Sequence, residues 1–235
     1  MLPRSEPGMT LQQHASLFLT IQTQRLSPVF NKTNQVADIL GAGFLWLICS
    51  VPVVTIGPAT AALYYTVVKV VRRNRETVVK SFFHSFKNNL GQGIILTILY
   101  LLYGAAIGLY ILAALEGRIQ MNPYIICTLG IILACPFLFT IVYIFPVISR
   151  FQAGLIRQIQ YALYMSIRHF PSTIALLVLL AFMAVLIYFV PFLMAILPGF
   201  YAYLGSFFIE RIFKKYLAEE IKKYKDPTDL PWYLE

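Results

Sequence analysis

Long apolar runs alternate with basic segments along the chain. Residues 36–56, 94–115 and 123–149 are each long enough to cross the hydrocarbon core of a bilayer as a helix. Residues 172–209 are apolar throughout and long enough for two crossings, and the turn between them is placed at Leu197-Pro198-Gly199. The pattern therefore predicts an all-α integral membrane bundle of about five transmembrane helices.

Amphipathic stretches lie between and beyond these runs. Apolar positions recur at helical spacing over 11–26, 78–88, 155–168 and 211–225, with polar or basic residues elsewhere on each helical wheel. They predict helices that lie against the bundle or the lipid headgroups, mostly at the cytoplasmic face. The predicted parts are an amino-terminal segment with an interfacial helix (1–35), the transmembrane bundle (36–209), and a cytoplasmic amphipathic helix and tail (210–235).

Two prolines interrupt the chain near the first predicted span. Pro52 and Pro58 flank a short run that ends in Gly57, where a helix would lose backbone hydrogen bonds and should kink or restart. Small residues at 59–62 let another helix approach closely. Pro52, Gly57 and Pro58 are therefore predicted to form a structural elbow inside the bundle. The alternative is a helical hairpin over residues 40–71, which would put the amino end on the cytoplasmic side.

Composition supports a membrane protein. The chain of 235 residues is 59% hydrophobic and 12% charged, and its mean hydropathy is +0.71. A net charge of +9 would suit nucleic acid, but the basic residues are divided among several loops rather than gathered on one face. In a membrane protein, excess Lys and Arg first indicate cytoplasmic loops and anionic headgroups. We therefore expect membrane lipids as partners and no nucleic acid.

The distribution of basic residues predicts an orientation. Fifteen of the nineteen Lys and Arg residues follow the first, third and fifth predicted spans, whereas Arg118 is in a predicted outer loop. Because cytoplasmic loops are enriched in Lys and Arg, these three segments are predicted to be cytoplasmic. The protein is then a multi-pass protein of the plasma membrane, with the amino end outside and the carboxyl end inside.

A shift of 81 residues matches two parts of the chain. It places Lys69 on Arg150, and Ser85-Phe86-Lys87-Asn88 on Ser166-Ile167-Arg168-His169. Each part then consists of a span, a basic exit, an amphipathic helix and another span. This order fits a parallel internal repeat. Chance is the alternative explanation, because spans and basic loops alternate in many membrane proteins.

The sequence lacks the usual catalytic and metal-binding patterns. No predicted span carries an acid, base or histidine near its middle, which argues against an ion-coupled pump. No phosphate-binding glycine loop or HExxH pair occurs, and the three cysteines lie in apolar runs without metal-ligand spacing. We therefore expect no enzyme activity, no metal and no cofactor. An enzyme acting on lipid would need polar groups near the interface, and the candidates are His84, Asn88, Asn89, Arg168 and His169.

A set of short motifs extends over nearly all of residues 35–216: LWLICSVPVVTIGPATAALYY at 45–65, SFF at 81–83, FKNN at 86–89, YIFP at 143–146, RF at 150–151 and RHF at 168–170. These motifs resemble those of the YesL-type family of bacterial membrane proteins, whose function is unknown. Members of that family tend to be encoded beside sugar-uptake ABC transporters, solute-binding proteins, sensor kinases and glycan-degrading enzymes. The resemblance therefore implies an accessory role in carbohydrate uptake or its sensing, and it supplies no catalytic residues.

Two functional hypotheses follow. The first is a membrane-embedded accessory or regulatory subunit that contacts the permease and ATPase subunits of an oligosaccharide ABC importer through residues 78–88 and 155–168. The alternative is an autonomous sugar transporter or permease-like pore. Residues 162–174 are faintly similar to the coupling helix of ABC permeases, but the acidic start and the downstream glycine of that helix are missing.

Candidate contact and packing residues complete the prediction. Contacts to lipid phosphate or to a partner subunit are predicted at Lys69, Lys87, Arg150, Arg168 and His169. Gly104 and Gly108 form a pair of small residues four apart in the second span. Such a pair permits close helix packing within the chain or, as the alternative, in a homodimer.

Overall fold

The computed structural model describes residues 35–73, 76–119, 122–151 and 153–221. The predicted helix at 11–26 and the tail beyond residue 221 lie outside them. The chain divides into two units, residues 1–38 and 39–235. The described part of the first unit, residues 35–38, is helical.

Seven α-helices and no strand occur among the described residues. The helices are α1 (Gln35–Cys49), α2 (Ile56–Thr66), α3 (Val78–Leu115), α4 (Pro123–Arg150), α5 (Leu155–Arg168), α6 (Phe170–Phe189) and α7 (Leu197–Ile221). Short 3₁₀ segments lie at Val53–Thr55 and Pro191–Ala195, and a π-helical segment, Val67–Arg72, extends α2. The prediction of an all-α fold is confirmed.

Four helical segments among the described residues are long and apolar enough to cross a membrane: Val53–Arg72, Val78–Leu115, Pro123–Arg150 and Phe170–Phe189. The chain is therefore a membrane protein, as predicted. The predicted fifth span corresponds to the first part of α7. That helix is less apolar as a whole because its second half carries Glu210, Arg211, Lys214 and Lys215.

The first predicted span, 36–56, is broken in the structure. The chain turns after Cys49, and α1 folds back along α2, where Trp46 Nε1 donates a hydrogen bond to Thr60 Oγ1 at 3.0 Å. A Cβ atom on Gly41 would lie 3.9 Å from Val78 at the start of α3. Gly41 is thus at the end of α2 that leads into the basic segment. A single span over 36–56 is therefore wrong, and the predicted orientation with the amino end outside loses its basis.

The centre of the bundle is α2 with its π-helical extension. From Gly57 to Val71 every residue except Thr60 is buried, so this helix is surrounded by protein on all sides. It packs mainly against α3 and α4. Small residues allow α2 and α3 to pack closely. A Cβ atom on Gly57 would lie only 2.7 Å from the Gly93 carbonyl oxygen on α3, which is too close for any side chain.

Two other predicted boundaries are wrong. The predicted short helix at 78–88 is the first part of the continuous helix α3, and it packs against α2. The turn between the last two helices lies at 190–196 rather than at Leu197-Pro198-Gly199. Pro198 is instead in the first turn of α7, where the missing N–H of proline leaves no helical hydrogen bond unmade. That helix also continues through the predicted boundary between residues 209 and 210.

The proposed repeat of 81 residues has structural counterparts. The first part of α3 packs on α2, and α5 packs on α4 in the corresponding half. Equivalent residues are buried in both halves, including the pairs Lys69 and Arg150, and Ser85 and Ser166. The halves differ after the amphipathic segment, because α3 continues whereas the helix is interrupted at His169 between α5 and α6.

Candidate functional site

A buried ion cluster joins α2, α4 and α7 around Glu210. Arg150 Nη2 donates to Glu210 Oε1 at 2.5 Å, and the Tyr64 hydroxyl donates to the same oxygen at 2.9 Å. Arg73 Nη2 lies 3.9 Å from Oε2. The side chains of Arg150 and Glu210 are 0% and 7% exposed. The carboxylate is thus shielded from water, and the surrounding cations and hydroxyl compensate the cost of burying it.

Arg72 attaches the end of the π-helical segment to the same helix, α7. Its Nη1 donates to the Ser206 carbonyl oxygen at 2.8 Å. Its guanidinium carbon lies 4.6 Å from the centre of the Phe207 ring, within the range of a cation–π contact. Two consecutive arginines, Arg72 and Arg73, therefore both reach α7.

A second ion pair is formed by Lys69 and Glu76. Lys69 Nζ lies 2.7 Å from Glu76 Oε2 and donates to the Tyr65 hydroxyl at 3.3 Å. The Ser81 hydroxyl donates to the same Glu76 oxygen at 3.0 Å. These donors, Lys69 first, hold the pKa of the Glu76 carboxyl below its usual range. This pair closes the loop between α2 and α3.

The amphipathic helix α5 has one buried and one exposed side. Its buried residues are Gln158, Ala162, Met165 and Ser166. Ile156 and Ile167 are 74% and 61% exposed, and Leu163 lies between them on the same stripe. The exposed basic residues Arg157 and Arg168 lie beside this stripe. We name Ile156, Arg157, Leu163, Ile167 and Arg168 the outer face of α5.

His169 lies at the junction between α5 and α6. Its ring nitrogen Nε2 is 3.3 Å from the Tyr216 hydroxyl, and the two rings meet edge to face. Partial burial lowers the pKa of His169, and the positive charges of Lys215 and Arg168 lower it further. The ring is therefore held in its neutral form over a wider pH range than a solvated histidine.

The structure divides the predicted contact residues into two groups. Lys69 and Arg150 are buried in internal ion pairs, so their side chains are engaged inside the chain. Lys87 and Arg168 are exposed, and His169 is half-buried. Contact with lipid phosphate or a partner stays a prediction for Lys87, Arg168 and His169.

The predicted packing residues also differ from one another. Pro52 is exposed at the turn after α1, whereas Gly57 and Pro58 are buried against α3. A Cβ atom on Gly104 would lie 3.3 Å from the Phe137 ring of α4, so Gly104 packs within the chain. Gly108 has open space around it, and a homodimer contact there stays a prediction.

The polar residues considered for a lipid enzyme make separate contacts. Asn88 Nδ2 lies 3.2 Å from His84 Nε2, and Asn89 Nδ2 donates to the Ser85 carbonyl oxygen at 2.8 Å. Arg168 lies over the Tyr164 ring. Among the described residues, no group of three or more His, Cys, Asp or Glu side chains is placed to hold a metal ion. The polar clusters among the described residues therefore pair charges and hold helices together.

The sequence prediction missed Glu210 and Tyr64. Glu210 falls at the start of the predicted cytoplasmic tail, yet the structure buries it in the middle of α7. One signal was available, since Glu210 directly follows the apolar run Phe207-Phe208-Ile209. A carboxylate next to such a run requires a cation when the helix is buried. Its partner could not be read from the sequence, because Arg150 is sixty residues away.

Comparison with known families gives one match. Residues 39–110 match DUF624, described as a protein of unknown function. This family includes the YesL-type proteins. The predicted resemblance is therefore confirmed for this segment, from α1 through most of α3. The match includes the predicted elbow and Lys69 but not Arg150 or Glu210. No curated protein and no solved structure matches the chain.

Proposed function

We propose that this protein is a membrane-embedded accessory or regulatory subunit of an oligosaccharide ABC importer. The proposal rests on the resemblance to the YesL-type family, whose members tend to be encoded beside such importers. The structural feature that supports it is the outer face of α5. Neither enzyme chemistry nor a cofactor is part of this proposal.

The outer face of α5 combines apolar and basic side chains. A helix that only covered its own bundle would expose mostly polar residues, as surface helices do. Here Ile156 and Ile167 are the most exposed large apolar residues of the helix, and Arg168 is exposed beside them. Apolar anchors with an adjacent arginine are typical of the energetically important part of a protein interface. We therefore assign this face to the permease or ATPase subunit.

The ion cluster supports the same proposal by positioning α5. Arg150 is the last residue of α4, and α5 begins five residues later at Leu155. The pairing of Arg150 with Glu210 attaches this junction to α7. A docking helix held at its start needs less ordering when it binds, which favours association.

We also propose a plasma-membrane orientation in which the basic segments face the cytoplasm. The exposed residues Arg211, Lys214 and Lys215 then place the end of α7 on the cytoplasmic side. The hairpin of α1 and α2 brings the chain into the bundle from that same side. This arrangement replaces the predicted amino end outside, and reactivity of single added cysteines with an impermeant reagent would test it.

The alternative of an autonomous sugar pore receives less support. A sugar path needs polar groups that replace the water around hydroxyls. The walls of the cavity between α1, α2, α4, α6 and α7 are instead mostly aliphatic and aromatic. Transport of labelled oligosaccharide into liposomes that contain this protein alone would support the pore instead of the accessory subunit.

The accessory proposal is tested by cross-linking the tagged protein in its native membrane during growth on complex glycans. Mass spectrometry should recover permease and ATPase subunits, linked through Lys87 or nearby lysines. In a parallel co-purification without cross-linker, we expect Lys87→Ala and Arg168→Ala to lower the recovery of these subunits about two- to fivefold, as loss of a surface charge pair would. The folded yield should not change, because both side chains are exposed.

Arg118→Ala is the matched control, since it also removes an exposed arginine but lies in the predicted outer loop. It should leave recovery unchanged. Recovery of this chain without any transporter subunit would contradict the proposal. An equal loss of recovery in all three variants would contradict the assignment of the partner contact to Lys87 of α3 and to the outer face of α5.

A further inference from the structure

An apolar cavity lies between α1, α2, α4, α6 and α7. Its volume is about 290 Å³, and its walls are formed mainly by aliphatic and aromatic side chains such as Leu63, Phe145, Met183 and Ile187. The residues that form it lie within the apolar segments of the bundle. A water molecule would not be stabilised in such a cavity, because a buried water needs several polar partners for its hydrogen bonds.

Four polar side chains border this cavity, and three of them are already engaged. Trp46 Nε1 donates to Thr60 Oγ1, and the Thr60 hydroxyl donates to the Ile56 carbonyl oxygen. The Tyr64 hydroxyl donates to Glu210. The fourth is Tyr201, whose hydroxyl has no hydrogen-bond partner among the described residues but is enclosed by protein rather than open to the cavity.

The cavity therefore offers no free hydrogen-bond donor, and a ligand must be apolar to match the walls. An apolar cavity of roughly 150 Å³ accommodates benzene, so this one has room for about twelve carbon atoms. These requirements describe part of an acyl chain.

The cavity also has a route to the bilayer. Two of its lining residues, Leu180 and Ala184, are exposed on α6, a helix of transmembrane length and composition. Exposed residues of such a helix face lipid chains rather than water. An acyl chain can therefore enter sideways between helices, without crossing a polar surface.

We propose that this cavity binds one acyl chain of a membrane lipid. The site is independent of the outer face of α5. It would bind lipid whether or not the protein joins a transporter. The acyl chain can belong to a phospholipid or to a free fatty acid, which present the same chemistry to the cavity.

The test uses the full-length protein in lipid nanodiscs with two photoactivatable probes. One is a phosphatidylglycerol with a diazirine in one acyl chain, and the other is a fatty acid with the same chain. Peptide mapping should place the label on cavity residues such as Met183 and Tyr201. The probe that labels them identifies the source of the chain.

Two alanines of α6 provide a matched pair of variants. Ala184→Trp fills the cavity and should lower labelling at least about tenfold, as expected when a ligand loses its site. Ala181 is exposed on the same helix but is not among the lining residues, so Ala181→Trp should leave labelling unchanged. Equal labelling of both variants, or label confined to outward residues such as Tyr188, would overturn the proposal.

Discussion

Lys69 and Arg150 are buried cations at equivalent positions of the predicted repeat. Their acidic partners lie at very different distances along the chain. Lys69 pairs with Glu76, seven residues further along, whose side chain is 36% exposed. Arg150 pairs with Glu210, sixty residues away and almost fully buried. The first pair closes a loop, whereas the second joins two helices. Both halves of the predicted repeat therefore bury a cation at equivalent positions, but the surrounding chain determines its partner and its structural importance.

The same halves differ at the end of the amphipathic segment, where a proline is present in only one of them. Pro171 lies in the first turn of α6, so it cannot donate the backbone hydrogen bond that would continue α5. The equivalent position in the first half is Leu90, and there α3 continues without interruption.

The largest expected effect comes from breaking the buried pair. Glu210→Ala removes the carboxylate to which Arg150 and Tyr64 donate, and it leaves the arginine charge inside the bundle. Loss of one partner of a buried ion pair typically costs about 3–5 kcal/mol. We expect most of the variant to aggregate on extraction, which size-exclusion chromatography in mild detergent measures.

Glu210→Gln is the graded control, because it keeps an acceptor for Tyr64 while removing the charge. The aggregated fraction of this variant should lie between those of wild type and Glu210→Ala. A stable, monodisperse Glu210→Ala protein would show that the cluster does not hold α4 and α7 together.

The second-largest expected effect comes from substitutions that fill the close contact between α2 and α3. A Cβ atom on Gly57 would lie 2.0 Å from Thr97 Oγ1 and 2.7 Å from the Gly93 carbonyl oxygen. Gly57→Ala should therefore lower the free energy of unfolding by about 1–3 kcal/mol through overpacking. Gly57→Leu should do more damage for the same reason. Thermal unfolding in detergent measures both.

Gly108→Ala is the control for this substitution. Gly108 is also inside a helix, but a Cβ atom there would meet nothing within 4 Å. Alanine favours a helix interior over glycine, by about 1 kcal/mol, so this variant should be as stable as wild type or slightly more stable. Equal destabilisation by both substitutions would show that the closeness of α2 and α3 is not the cause.

Much of the fold followed from the sequence because hydrophobicity and proline act locally. Helical spans and amphipathic segments depend on nearby residues. The small residues around Gly57 indicated a close contact, although its partner Thr97 lies forty residues away. The break near Pro52 was also visible, although the choice between an elbow and a hairpin depends on tertiary contacts such as Trp46 with Thr60. The Glu210 cluster could not be predicted, because it brings together helices that are distant in sequence.

The smallest expected effect is that of the Lys69–Glu76 pair, and it depends on pH. The pKa of Glu76 is lowered in the folded protein, so its contribution to stability is present above its ordinary value of 4.5 and is lost as the pH falls through the folded-state pKa. Glu76→Gln should lower the free energy of unfolding by about 1 kcal/mol or less at neutral pH, since the carboxylate is partly solvated. Wild type and variant should converge below about pH 4.

Thermal unfolding measured from pH 7 down to this range compares the two proteins. Glu116→Gln is the control, because Glu116 also pairs with a nearby cation, Arg118, but both side chains are more than half exposed. It should change the midpoint little at any pH. If Glu76→Gln were as damaging as Glu210→Ala, the contrast between a local, partly solvated pair and a buried pair between helices would be wrong. If its effect were independent of pH, the carboxylate charge would not be what Lys69 and Ser81 stabilise.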